Sequence, residues 1–303
     1  MNQTKHHNVM FSPSLVFPPV KGGKNLRLSL MGELGQSSRP RRGQNDIEAY
    51  SQAVCRKQIR LWRKACGYKV IYMMKITTVL LDAGGVILDE SEHERVRAEL
   101  AVEILNQEMP GYSLDEYYSD VEEAVKCFCP SVYQYVFWKA LNRDMSLFDR
   151  LYASYLAEWQ KRKPPLKLTY GLEAELKAIS EDFKIGIAGQ YGQELLQLLE
   201  QHSILERFTY RLTQDDFATT KPDLRFYESI VKRSGLDPKE CIMVGDRIDK
   251  DVIPAKLLGM KTILIRVGLH KNQQPRIPFE VPDAELDSVI GLADAILKVA
   301  EQK

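Results

Sequence analysis

The feature that most constrains the fold is a series of short apolar runs that alternate with segments of helical apolar spacing. The runs share a length of about five or six residues, and they are Ile76–Leu81, Lys184–Gly189, Phe208–Leu212, Cys241–Asp246 and Thr262–Val267. Nearly continuous apolar runs of this kind are typical of parallel strands that are buried on both faces. The repeated strand-helix unit therefore predicts an α/β fold with a doubly wound parallel sheet.

Acidic residues and glycines stand where two of the predicted strands end. The first strand leads into Asp82-Ala83-Gly84-Gly85, and the fourth ends in Gly245-Asp246. Ligands of open parallel sheets bind at the carboxyl ends of the strands. We therefore expect the functional site at this edge of the sheet.

The stretch from residue 90 to residue 165 interrupts the alternation, because it shows helical spacing and no strand pattern. Four helices are predicted, over Glu92–Gln107, Leu114–Cys127, Ser131–Leu141 and Leu147–Gln160. Helices of this length joined by short loops predict a small bundle. We expect one domain from residues 74–89 and 166–303, with residues 90–165 inserted as a second, helical domain.

The amino-terminal segment differs from the rest of the chain in charge. Residues 1–73 contain 13 Lys and Arg against 3 Asp and Glu, whereas residues 74–303 contain 29 against 38. Many Gly, Pro and Ser residues and little periodicity predict a basic, mostly disordered extension. Three interpretations stay open: a segment without a function of its own upstream of a start at Met73 or Met74, an organelle transit peptide, or a basic arm for nucleic acid or anionic lipid.

The cysteines and the apolar runs bear on location. The five cysteines are odd in number and irregularly spaced, which favours a reducing compartment over a disulfide framework. No apolar run approaches the roughly 18 residues that a membrane-spanning helix needs. We expect a cytoplasmic protein, with organelle targeting by residues 1–73 left open.

Four segments in register resemble the motifs of the haloacid dehalogenase (HAD) superfamily of hydrolases. They are Asp82-Ala83-Gly84-Gly85-Val86-Ile87, the strand end Ala188-Gly189-Gln190, Thr220-Lys221-Pro222-Asp223, and Gly245-Asp246-Arg247-Ile248-Asp249-Lys250-Asp251-Val252. The resemblance covers nearly all of residues 74–303. It implies a Rossmann-like core and identifies the helical insertion as a cap domain between the first and second motifs.

The resemblance also implies roles for individual residues. Asp82 would be the nucleophile that forms an aspartyl-phosphate, and Lys221 would neutralise nucleophile and phosphate. Mg²⁺ would be held by oxygens of Asp82 and Asp246 and by the backbone carbonyl of Gly84. Asp251 would orient Lys221 or a metal-bound water. Gly189 and Gln190 would bind phosphate together with Lys221. A role for Asp249 stays open.

Two positions depart from the motif pattern of the superfamily. Gly84 stands where most phosphatases of the family have a second Asp, which acts as general acid and base, and loss of such a group costs about 10²–10⁴ in rate. Ala188 stands where the family has a Ser or Thr whose hydroxyl binds phosphate. The groups for nucleophilic attack and charge neutralisation are therefore present, whereas the expected group for proton transfer is missing.

Several functions are compatible with this pattern. We expect a Mg²⁺-dependent phosphatase for a small phosphorylated metabolite, not for nucleic acid; acyl phosphates would need no acid. The alternative is a non-catalytic module that binds phosphate, metal or a protein. A dehalogenase fits less well because such enzymes need no metal, yet Asp246 and Asp251 are present. A phosphonatase-like enzyme needs a cap lysine, and residues 90–107 contain none. The oligomeric state and the particular substrate are not specified by the sequence.

Overall fold

A six-stranded parallel sheet forms the centre of the computed structural model, which describes residues 76–302. The strands are β1 (Thr78–Leu81), β2 (Lys184–Ile187), β3 (Phe208–Tyr210), β4 (Cys241–Gly245), β5 (Lys261–Ile265) and β6 (Ala284–Leu286). Their order is β3-β2-β1-β4-β5-β6, and every neighbouring pair is parallel. The predicted α/β parallel sheet is confirmed.

The four residues of β1 are fully buried, which explains the central place of this strand. Thr78 is in register with Lys184 of β2 on one side and with Cys241 of β4 on the other. The carboxyl ends of β1, β2 and β4 therefore meet at one edge. The residues that follow these three strands are thereby brought close together.

The insertion folds into the four helices that the sequence predicts. They are α1 (Ser91–Leu105), α2 (Leu114–Lys126), α3 (Val132–Ala140) and α4 (Met145–Arg162). Ser113 and Glu116 form a capping box at the start of α2, and Asp144 caps α4. The bundle has a hydrophobic core of its own that includes Tyr117, Phe137 and Tyr155.

Five further helices accompany the sheet. They are α5 (Leu172–Ile179), α6 (Gln193–Gln201), α7 (Leu224–Ser234), α8 (Ile253–Leu257) and α9 (Leu292–Glu301). The helix after β4, α8, has only five residues. A π-helical turn, Ile248–Val252, precedes it.

The strands and helices pack into separate hydrophobic clusters. The largest joins the strands to α5, α6 and α9, while the bundle residues form another. This separation supports the division into core and cap, although the boundaries themselves stay a prediction. Between residues 76 and 302, no helix has the length and apolar character that crossing a membrane requires. The predicted basic extension, residues 1–73, lies outside the described residues.

Candidate active site

Asp82 begins the candidate site, because it is the first residue beyond the carboxyl end of β1. Its backbone N–H donates to the carbonyl oxygen of Val244 in β4 at 2.8 Å, which extends the sheet by one position. Its side chain is 14% exposed, and its Oδ1 accepts a hydrogen bond from Lys221 Nζ at 2.7 Å. Burial raises the pKa of Asp82 to about 6, with the Asp251 charge adding to the rise and Lys221 opposing it.

Lys221 connects two carboxylates inside the protein. Its side chain is only 3% exposed, and Nζ donates to Asp82 Oδ1 and also to Asp251 Oδ1, at 2.6 Å. Burial by itself would lower the pKa of this ammonium, but the charges of Asp251 and Asp82 outweigh burial and raise it. Lys221 is therefore not a solvated lysine at a helix start; α7 begins later, at Leu224.

Asp251 is buried and holds Lys221 in place. Its Oδ1 accepts hydrogen bonds from Lys221 and, at 3.1 Å, from the Tyr227 hydroxyl, while its Oδ2 accepts from the Arg247 N–H at 3.1 Å. It lies so close to β4 that a Cβ on Gly245 would be 2.3 Å from its Cγ. A glycine at the end of β4 is therefore required for Asp251 to reach the site.

Asp246 completes the acidic cluster. Oxygens of Asp82, Asp246 and Asp251 all lie within 4.8 Å of one another. Across residues 76–302 the Asp246 carboxylate has no hydrogen-bond or ion-pair partner. Burial, together with the charges of Asp251, Asp82 and Glu90, raises its pKa well above the ordinary range. The structure thus brings together four of the residues that the sequence singled out.

The acidic cluster fits a divalent metal ion. When all three carboxylates are ionised, the single lysine ammonium leaves an excess of two negative charges in a largely buried place. Excess charge of this sort is costly unless a cation compensates it. Carboxylate oxygens are the donors that Mg²⁺ prefers, so the donor set matches the cofactor expected from the sequence.

Gly84 and Gly85 form the turn after Asp82, but only Gly85 has a positive φ, of +70°. Gly84 has another reason to lack a side chain. A Cβ at position 84 would lie 2.5 Å from Oε2 of Glu90. The carboxylate of Glu90 therefore occupies the space next to Gly84, and the Tyr191 hydroxyl donates to its Oε1 at 2.6 Å.

The second motif supplies backbone instead of side-chain groups. Ala188 is fully buried in a hydrophobic cluster with Leu80 and Phe226. Gly189 approaches the first motif so closely that a Cβ on it would be 2.3 Å from the Cβ of Ala83. Within the described part of the chain, the N–H groups of Gly189 and Gln190 donate to no acceptor. They are thus free for a bound anion.

Asp249, whose role the sequence left open, is engaged in a different cluster. Both of its carboxylate oxygens accept hydrogen bonds from Arg247, and Gln273 Nε2 donates to Oδ1 at 3.0 Å. Although burial opposes it, Arg247 lowers the pKa of Asp249. This aspartate is a structural ion-pair partner and is not a member of the acidic cluster.

Sequence reasoning missed three residues that contact the site: Glu90, Tyr191 and Tyr227. Tyr227 was hidden because a tyrosine on the buried face of a helix is ordinarily a core residue. Glu90 and Tyr191 are 101 residues apart, and no motif spacing relates them. The signal that could have found Glu90 is its place at the junction where the insertion leaves the core.

Comparison with protein families gives a match over residues 80–265 to the haloacid dehalogenase-like hydrolases. Among curated proteins, the glyceraldehyde 3-phosphate phosphatase of Methanopyrus kandleri is 31% identical over 116 residues, which cover 38% of this chain and 48% of that protein. The enzyme of the same name from Methanocaldococcus jannaschii is 39% identical over 85 residues, which cover 28% and 36%. The chain thus spans half or less of the length of these two relatives.

Two solved structures show the same fold. A conserved haloacid dehalogenase-like protein from Agrobacterium tumefaciens has a TM-score of 0.54 and 18% identity, covering 74% of this chain and 99% of that one. A predicted phosphoglycolate phosphatase from Haemophilus somnus has a TM-score of 0.52 and 16% identity, covering 73% and 98%. With the family match over more than half of its length, the chain belongs to the haloacid dehalogenase-like hydrolases.

Proposed function

We propose that this protein is a Mg²⁺-dependent phosphatase that acts on a small phosphorylated metabolite through an aspartyl-phosphate on Asp82. One observation carries the proposal: a buried ammonium and two further carboxylates surround the Asp82 carboxylate where β1 and β4 end. This arrangement combines a nucleophile, a compensating cation and oxygen ligands for a metal.

The chemistry follows in two displacements. An oxygen of Asp82 attacks phosphorus, and the bond between phosphorus and the leaving oxygen breaks. Water then attacks the same phosphorus, the bond to Asp82 breaks, and inorganic phosphate leaves with the carboxylate restored. Lys221 keeps its positive charge beside Asp82 in both steps, which reduces the repulsion between two anions.

The other site residues bind and position. Mg²⁺, held by Asp82, Asp246 and the backbone carbonyl of Gly84, would supply Lewis-acid stabilisation of the phosphoryl charge. The free N–H groups of Gly189 and Gln190 would bind phosphate oxygens together with Lys221. Asp251 positions the ammonium.

We propose further that residues 90–165 are a cap domain that selects the substrate. Supporting contacts lie on the site side of the sheet: Glu94 of α1 accepts a hydrogen bond from Leu269 N–H at 3.1 Å, and Arg247 donates to the Cys129 carbonyl at 3.4 Å. Because the named relatives act on glyceraldehyde 3-phosphate, small sugar and triose phosphates are the first substrates to test. A cytoplasmic location agrees with free thiols at Cys127 and Cys241.

The test is phosphate release by the full chain on a panel of triose phosphates, sugar phosphates and acyl phosphates, with Mg²⁺ and with EDTA. We expect turnover that depends on Mg²⁺ and that Asp82→Asn abolishes. In Asp246→Asn, the remaining turnover should be much slower and should no longer depend on Mg²⁺. Asp149→Asn, an exposed aspartate of α4, is the matched control and should leave the rate unchanged. Absence of turnover on every substrate, with Mg²⁺ still bound, would favour the non-catalytic binding module instead.

A further inference from the structure

We propose that Glu90 is the proton donor and acceptor of this site, in place of the aspartate that Gly84 lacks; the inference rests on the proposed phosphatase function. The geometry points to it directly. A Cβ built on Gly84 would lie 2.5 Å from Glu90 Oε2, 2.9 Å from Cδ and 3.2 Å from Oε1. The Glu90 carboxylate therefore stands where the side chain of an aspartate at position 84 would begin.

A second contact fixes this carboxylate in the site. The Tyr191 hydroxyl donates to Glu90 Oε1 at 2.6 Å, and Tyr191 belongs to the loop that follows β2 and carries Gly189 and Gln190. Within residues 76–302, Oε2 accepts no hydrogen bond, and it is the oxygen nearest to Gly84. One oxygen of Glu90 is thus anchored while the other is available for a substrate.

The other buried carboxylates near Asp82 are engaged elsewhere. Asp251 is bonded to Lys221 and Tyr227, and Asp249 to Arg247. Asp246 belongs to the proposed metal ligands, and Glu94 accepts from the backbone N–H of Leu269. Glu90 is left as the carboxyl group beside the first motif whose free oxygen faces the position of the missing side chain.

The proton transfers balance over one turnover. When Asp82 attacks phosphorus and the leaving oxygen departs, Glu90 Oε2 gives its proton to that oxygen, so an alcohol leaves and Glu90 becomes a carboxylate. When water attacks the aspartyl-phosphate, Glu90 takes a proton from that water as the bond to Asp82 breaks. Glu90 and Asp82 both return to their starting forms, and nothing is oxidised or reduced.

Leaving-group dependence tests this role, because an alkoxide needs a proton and a carboxylate leaving group does not. In Glu90→Gln we expect kcat/KM for an alkyl phosphate such as glycerol phosphate to fall about 10²–10⁴-fold. The kcat/KM for acetyl phosphate, which reports only the first displacement, should change less than about threefold. Since the second displacement still lacks its base, labelled phosphoenzyme should accumulate from acetyl phosphate in this variant.

Two controls separate this proposal from the proposed function. Asp82→Asn should abolish both reactions and leave no phosphoenzyme, whereas Glu99→Gln, at an exposed position of α1, the helix that Glu90 precedes, should change neither. Equal losses on both substrates in Glu90→Gln, or no loss on the alkyl phosphate, would overturn the role of Glu90 and leave the phosphatase function intact. A wild-type chain without turnover on either substrate would overturn both.

A rescue experiment provides an independent measure. Glu90→Ala should lose turnover of alkyl phosphates, and adding Gly84→Asp to it should restore at least part of that turnover, because the space for the aspartate is then empty. Gly84→Asp alone should not raise the rate, since the new side chain meets the Glu90 carboxylate. Circular dichroism establishes that each variant is folded, and a folded double variant without regained turnover would contradict the proposal.

Discussion

At the scale of single residues, the site is defined by a shortage of positive charge. Lys221 binds two carboxylates, and Asp246 is left without a partner among the described residues. Desolvated carboxylates that are not compensated hold their protons more strongly. In the metal-free protein, the charge state of Asp82 therefore changes at a pH where an ordinary aspartate is already ionised.

This shift predicts a pH dependence of stability in the presence of EDTA. The pKa of Asp82 is about 6 in the fold against 3.8 for an ordinary aspartate, so the folded state binds the proton more tightly than the unfolded state. The resulting stabilisation is complete below about pH 4 and is lost as the pH rises through about 6. Between about pH 4 and pH 7, the free energy of unfolding of the wild type should fall relative to Asp82→Asn by on the order of 2 kcal/mol.

Urea unfolding at several pH values, each with both proteins, measures that difference. The comparison cancels the titrating groups that do not interact with Asp82, while Asp246 and Lys221, whose pKa values depend on the Asp82 charge, contribute to the difference. A difference that stays flat from about pH 4 to pH 7, or that grows with pH, would contradict a raised pKa at Asp82.

The strand pattern could predict the site residues that directly follow strands, and the motif resemblance added two more. Asp82 and Asp246 were expected at one edge because parallel strands end together, whereas Lys221 and Asp251 were expected beside them only from the resemblance to the superfamily motifs. The contact of Glu90 with Tyr191 depends on where α1 leaves the core, which no periodicity specifies. The sequence showed Gly84 only as the absence of the expected Asp. In the structure, the Glu90 carboxylate occupies the space that a side chain at position 84 would need.

At the scale of elements, Glu175 joins α5 to α9. It is 8% exposed, and its two oxygens accept hydrogen bonds from the N–H groups of Gly291, at 3.0 Å, and Ala293, at 2.8 Å. These N–H groups belong to the amino-terminal end of α9, which has no side-chain cap of its own. A carboxylate at this end of a helix satisfies free donors and interacts favourably with the helix dipole.

Replacing Glu175 should therefore destabilise the fold without touching the site. We expect Glu175→Ala to lower the free energy of unfolding by about 1–2 kcal/mol and Glu175→Gln by less, because the amide keeps one acceptor. Glu173→Ala, at an exposed position on the same helix, should cost under about 0.5 kcal/mol. Urea denaturation gives these values, and equal effects at positions 173 and 175 would refute the capping role.

The elements missed by sequence reasoning are those with weak apolar patterns. Strand β6 has three residues at the sheet edge, and none of them is fully buried, so it shows no apolar run. The π-helical turn before α8 contains Asp251, whose side chain lies against Gly245 of β4, a tertiary contact that no apolar periodicity specifies. The long helices of the bundle, in contrast, were predicted within a few residues because their spacing repeats over several turns.

At the scale of the whole molecule, the described part of the chain has a hydrophobic core in the bundle and another around the sheet, the latter made of more than one cluster. Few polar contacts join them, among them the bond from Leu269 to Glu94 and that from Arg247 to Cys129. Leu269 also packs against the bundle cluster. These contacts involve residues that follow β4 and β5, so the candidate site and the junction of the two cores lie at the same edge of the sheet.

Mg²⁺ should therefore stabilise both cores at once. A ligand that binds only the folded state at about a hundredfold over its Kd adds about 2.7 kcal/mol to the free energy of unfolding. For a protein of this size, that should raise Tm by roughly 5–10 °C. Asp246→Asn should remove the increase, and Asp149→Asn should retain it.

Two signals measured on the same sample reveal whether the cores unfold together. Trp138 and Trp159 lie in the bundle, so their fluorescence follows that core once Trp62, outside the described residues, is replaced by Phe. Circular dichroism follows the sheet and the helices as a whole. We expect Mg²⁺ to move both transitions by the same amount, because the contacts at the junction couple the cores. A fluorescence transition that stays in place while the dichroism transition rises would mean that the bundle unfolds independently of the metal site.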